Sequence, residues 1–225
     1  MNMISNIVTS TRLVPLIAAA VISQFPGPVS GASAGNGALV SFVNAVPLET
    51  NTILSIDNGR LLKDGFAAGQ ATGGLSFEAG SHTIRVANGD CKPAFLNLQL
   101  EPNASATVIA YVVETDAPNG RITRKLRLLV RDNHPTATTK ALSAIYAGRK
   151  PLMSVIINGQ CQTLEPVHEL RLASGRPVVQ VTYGNQPIVD YDPQEAGSYL
   201  IILYDKPAAK IGGVVIRDVI RPVSG

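Results

Sequence analysis

Few residues in this chain have the types that do chemistry, and their spacing argues against most of it. His82, His134 and His168 lie far apart, without the close pairing that metal ligands show. Gly31-Ala32-Ser33-Ala34-Gly35 matches the G-x-S-x-G nucleophile elbow. That elbow needs a preceding strand and a following helix, and this copy has neither. No other Ser stands in an oxyanion-hole context, so no Ser-His-Asp acyl-transfer site is expected. Asp190, Asp192 and Glu195 offer oxygens to a hard cation such as Ca²⁺, but the EF-hand loop and its glycine are missing. They read as solvated turn charges. The sequence therefore predicts no catalytic residue, no metal site and no cofactor. The chemistry that remains is charge. Arg121, Arg124, Lys125, Arg127 and Arg131 cluster within one short run. A basic strand face could meet an anionic polysaccharide or lipid headgroups by Coulomb attraction. The competing reading is an edge strand that its charges protect from aggregation.

The elements that must position these charges follow from composition. The chain has 225 residues, 45% hydrophobic and 16% charged, which excludes a largely disordered polymer. Its 20 Gly and 15 Pro favour many turns. The net charge of +3 is too small to predict nucleic-acid binding. Residues 35–137 carry nine basic and nine acidic groups, and residues 138–225 carry nine and seven, so the basicity is local. Trp is absent and aromatics are 5%, which weakens a sugar-stacking platform, although Tyr183, Tyr191, Tyr199 and Tyr204 remain available.

Residues 1–34 contain no acid and one base, Arg12. The apolar run from Leu13 to Ile22 is too short to span a bilayer, which needs about 20 residues. It suits the core of a secretory signal, and Ala32-Ser33-Ala34 supplies an A-x-A cleavage signal. The expectation is a signal peptide over 1–34, export to the periplasm or beyond, and no transmembrane segment in the mature chain.

Beyond that leader, short runs rich in Val, Ile, Leu, Thr and Tyr recur between Gly, Pro, Asn and Asp clusters. That is an all-β signature. Ile122–Arg131 alternates most clearly, as a half-buried strand would. The halves resemble each other. Ser55-Ile56-Asp57-Asn58-Gly59 resembles Val155-Ile156-Ile157-Asn158-Gly159, and Asn-Gly is a strong hairpin signal. Ala79-Gly80 resembles Ser174-Gly175, and Ala104–Ile109 resembles Ala196–Ile201. Leu126-Arg127 and Arg131 resemble Ile216-Arg217 and Arg221. The offsets run 100, 95, 92 and 90, as expected if the second copy has shorter loops. We expect two tandem immunoglobulin-like β-sandwich domains, 35–132 and 140–225, packed through a polar linker at 133–139. The Cys…Trp…Cys pattern of antibody domains is missing.

Cys91 and Cys161 are the only cysteines and are not a C-x-x-C pair, which argues against thioredoxin-like chemistry. In an oxidising compartment an even count suggests a disulfide, which here would staple one domain to the other. The alternative is two separate thiols.

The stretch Ala38-Leu39-Val40-Ser41-Phe42-Val43-Asn44-Ala45 resembles the opening strand of a family of exported bacterial β-sandwich domains of unknown function. Ile56-Asp57-Asn58-Gly59, Glu78–Val86 and Leu100-Glu101-Pro102-Asn103-Ala104 continue that pattern. The layout of leader, two small sandwiches and a basic strand ending Ile220-Arg221-Pro222-Val223 also resembles the periplasmic alginate-biosynthesis family AlgF, accessories of polysaccharide O-acetylation. The first resemblance implies fold; the second implies, as an alternative function, a non-catalytic periplasmic accessory of exopolysaccharide O-acetylation; neither carries a catalytic residue. Together the readings predict a non-enzymatic exported binding or scaffold protein of the cell envelope, partnered by an envelope protein or an anionic polysaccharide.

Overall fold

The computed structural model describes residues 37–89, 91–116, 122–133, 140–172, 179–207 and 210–219. The expected leader, Arg121, His134 and linker residues 134–139 lie outside these. The described residues form strands and no helix. The first unit holds β1 (Gly37–Asn44), β2 (Ile53–Ile56), β3 (Gly59–Arg60), β4 (Leu75–Glu78), β5 (Gly80–Ala87), β6 (Ala94–Leu100), β7 (Ser105–Asp116) and β8 (Ile122–Asp132). The second holds β9 (Lys140–Tyr146), β10 (Met153–Ile157), β11 (Gln160–Leu164), β12 (Glu169–Leu172), β13 (Val179–Tyr183), β14 (Gln186–Tyr191), β15 (Gly197–Asp205) and β16 (Ile211–Arg217).

The two units have the same topology. The first builds sheets ordered β3-β2-β5-β6 and β4-β1-β7-β8; the second builds β11-β10-β13-β14 and β12-β9-β15-β16. In each, the first and seventh strands run parallel, β1 beside β7 and β9 beside β15. Sequence and structure agree on an all-β chain of two sandwich-like units.

Matching hydrogen bonds fix which residues correspond. Ala45 N donates to Ala110 O, and Ala147 N donates to Leu203 O. Asn133 N donates to Ser105 O, and Asp218 N donates to Ser198 O. The offset thus falls from 102 at Ala45 and Ala147, through 93 at Ser105 and Ser198, to 85 at Asn133 and Asp218. The shortening follows the expected trend, but the last landmark was misaligned by five residues. Asp132 corresponds to Arg217, so Arg127 and Arg131 fall on Gly212 and Ile216, and Lys125 alone meets a base, Lys210.

The first hairpin also corrects the sequence reading. Ile56 pairs with Gly59, so the two turn residues are Asp57 (φ 48°) and Asn58 (φ 68°), and Gly59 opens β3. In the second copy Ile157 pairs with Gln160, and the turn is Asn158 (φ 50°) and Gly159 (φ 77°), as expected. The anchor explains the one-residue difference. Asp57 Oδ1 accepts from Thr83 N at 2.8 Å, and Asp57 N donates to Thr83 O. Asn158 makes the same two bonds with Gln180. An Asp or Asn that tolerates positive φ and ties itself to the adjoining strand sets the frame.

The sheets stack in four layers around three cores. Val40, Leu54, Ile84, Val108 and Leu126 fill the first sandwich, and Leu142, Met153, Val155, Val181 and Ile201 fill the second. A third core lies between the units. It joins Val43, Ala45 and Ile109 to Ile145, Ala147 and Ile202, the same positions of each copy. All nine residues of β15 are therefore buried, as befits a strand covered on both faces. Each fully buried Leu or Ile there contributes about 1.5–3 kcal/mol by area. The units meet through an apolar face, not through the polar linker alone.

Arg131 closes the rim of that face. Its Nη1 lies 2.8 Å from Asp218 Oδ1 and its Nη2 lies 3.0 Å from Glu169 Oε1. Nη2 also donates to Ser143 Oγ at 3.3 Å. Burial alone would disfavour the guanidinium charge; Glu169 and Asp218 more than restore it.

Candidate functional site

A cleft of about 350 Å³ opens where the ends of several strands meet across the two units. The first unit contributes Pro47, Leu48, Glu49 and Thr50 after β1, Val112 and Glu114 on β7, and Arg124 on β8. The second contributes Arg149 after β9, and Lys206 and Pro207 after β15. Pro47 and Arg149 stand two residues beyond the matched pair Ala45 and Ala147. Glu114 and Pro207 stand four beyond the matched pair Ala110 and Leu203. The same positions in each copy thus face the cleft with unlike residues.

A chain of charged hydrogen bonds runs along its floor. Tyr146 donates from its hydroxyl to Asp205 Oδ1 at 2.7 Å. Asp205 Oδ2 accepts from Arg149 N at 2.8 Å and from Arg149 Nε at 3.1 Å. Arg149 Nη1 reaches Glu114 Oε2 at 2.8 Å, and Arg124 Nε donates to Glu114 Oε1 at 3.0 Å. Glu114 faces Arg124 directly in the β7–β8 register, which explains that pairing. Burial would raise the Glu114 pKa, but the bonds from Arg124 and Arg149 hold it below the usual carboxylate value. Burial and the Asp205 carboxylate push the Tyr146 hydroxyl pKa well up, so it stays a proton donor. These groups satisfy one another, Glu114 and Asp205 against Arg124 and Arg149. The Thr50 hydroxyl is occupied with Asn88 Oδ1 at 3.1 Å.

The structure disperses the basic strand. Arg124 enters the cleft, paired with Glu114. Lys125 is half-buried beside Lys92, and Arg127 is exposed opposite Tyr111. Arg131 is buried between the units, so it is not available on an open surface. Arg121 lies outside the described residues. β8 is the last strand of its sheet, but its outer edge is partly closed, since Arg124 O accepts from Lys92 N and Leu126 N donates to Lys92 O.

Of the two alternatives for Cys91 and Cys161, the structure has two separate thiols and no bridge between them. Cys91 packs on the first core, while Cys161 is exposed on β11 opposite Ile156, in the outer sheet of the second unit. They belong to different units, Cys91 beside the first core and Cys161 on the surface of the second unit. His82 is held by Asp57 Oδ2 at 2.6 Å and by the Glu78 carbonyl at 2.9 Å. His168 is exposed near Glu165. Glu195 pairs with Arg217, and Asp190 and Asp192 face solvent.

Sequence reasoning missed Glu49, Glu114, Arg149, Asp205 and Lys206. One local signal existed: Asp205 directly follows the apolar run Leu200–Tyr204, and Arg149 follows Ala144–Ala147 after Gly148. No protein-family model matches the chain, and no curated protein matches it.

Proposed function

We propose that the chain is a non-enzymatic exported binding or scaffold protein of the bacterial cell envelope, and that the inter-unit cleft is where it binds. One observation carries this reading: the cleft is lined by both units, which a shared apolar core holds in fixed relation. A preformed site loses little freedom on binding. The size of the cleft falls at the small end of ligand sites, which run about 300–1,000 Å³. An anionic polysaccharide bound along the basic strand has less support, because Arg131 is buried and Arg124 is engaged by Glu114.

The test pairs the full chain with its Pro207→Trp variant, which fills the cleft from an exposed position. A panel of envelope-derived peptides, amino acids and oligosaccharides is screened by thermal shift. The reading expects a binder that raises the melting temperature of the parent and not of the variant. Equal shifts in both would place binding elsewhere, and turnover of a panel member would make the chain an enzyme.

A further inference from the structure

The cleft is lined by five charged side chains, and their pairing leaves two over. Glu114 engages Arg124 and Arg149, and Arg149 also engages Asp205 just beneath. These four groups close on themselves with no net charge. Glu49 and Lys206 make no ion pair among the described residues. Both are exposed, and they belong to different units, Glu49 to the first and Lys206 to the second. Lys206 does not dangle freely. Its stem crosses Gly212, where a side chain would collide with it, and its Nζ lies 5.9 Å from the Tyr204 ring. Pro47, Leu48, Val112 and Pro207 supply apolar wall to the same cleft.

A simple anion would gain from Lys206 and lose to Glu49; a simple cation would do the reverse. A ligand with one charge of each sign gains from both. We propose that the cleft binds a small zwitterion of amino-acid to short-peptide size, with Glu49 receiving its ammonium and Lys206 its carboxylate. This rests on the cleft being the binding site. The neutral floor is then what makes the pair selective, because the arginines are already satisfied and draw no second anion. The apolar wall takes short side chains.

Calorimetry on the full chain tests this with four probes: trialanine, N-acetyl-trialanine, trialanine amide and digalacturonate. Trialanine binds, and blocking either end weakens it roughly fivefold, the scale of a partly exposed ion pair. Glu49→Gln abolishes the penalty for N-acetylation alone, and Lys206→Met abolishes the penalty for amidation alone. Added salt weakens trialanine in the parent protein and less in either variant. Blocked peptides that bind as well as trialanine, or no heat from trialanine, would overturn the zwitterion. Digalacturonate bound in its place and lost in Pro207→Trp would keep the cleft and discard the zwitterion. Trialanine binding that ignores Pro207→Trp would discard both.

Discussion

Arg131 of the first unit and Asp218 of the second meet at 2.8 Å with both side chains buried, so a buried charge on one repeat is met by one on the other. Removing one partner leaves an uncompensated buried charge. Arg131→Ala should cost about 3–5 kcal/mol of stability. Combining Arg131→Met with Glu169→Gln and Asp218→Asn should restore most of it. Urea denaturation measures both. A loss from Arg131→Ala within the ±0.5 kcal/mol of ordinary surface changes would mean that the pair is not closed to water.

His82 should titrate above its ordinary value of 6.5. Burial alone would depress the imidazolium, but the Asp57 carboxylate and the Glu78 carbonyl overcome it. The raised folded value sets the sign. The stabilisation is complete below pH 6.5 and is lost as pH rises through the folded pKa. Proton NMR of the ring gives the midpoint, and Asp57→Asn should lower it. Asn is suited to that turn, because Asn158 occupies the matching position. A midpoint at or below 6.5 in the parent would contradict the pairing.

The two Asn-Gly pairs should respond differently to substitution. Gly159 has φ of 77°, so Gly159→Ala should cost about 1–2 kcal/mol. Gly59 lies outside the positive-φ turn, and an added Cβ meets only the Ile56 carbonyl at 3.2 Å. Gly59→Ala should cost less. Equal losses, read from denaturation midpoints, would return both turns to the same frame.

The cysteines should label as two thiols in the unreduced protein. Cys161, exposed on its hairpin, should be alkylated first, and Cys91, half-buried on the first core, more slowly. Peptide mass spectrometry follows each site. A linked Cys91–Cys161 peptide would mean that the units can approach in a second arrangement.

The strands were legible where one face is wet. Met153–Ile157 alternates buried and exposed, so its period shows in the residue types. The third core was not legible in the same way. Tyr199–Tyr204 has no polar interruption, which marks a strand covered on both faces, but nothing local says what covers it. Arg131 misled for a related reason. A guanidinium beside Leu129 reads as a solvent-facing charge until Asp218, 87 residues on, is brought to it. Glu114, Arg149 and Lys206 sit at the ends of different strands, and only long-range pairing assembles them.

The correspondence between Pro47 and Arg149, and between Glu114 and Pro207, has a consequence beyond stability. Two identical domains joined by these faces would form an isologous homodimer, and a site on its dyad would offer the same group from both sides. Such a site can favour only ligands with like ends. Covalent fusion lifts that constraint, because each half mutates alone. Here one side has kept a carboxylate where the other has proline, and proline where the other has a guanidinium. The tandem chain thereby presents unlike groups at matched positions of its two halves, which on the proposed reading fixes the direction in which an unsymmetrical molecule lies.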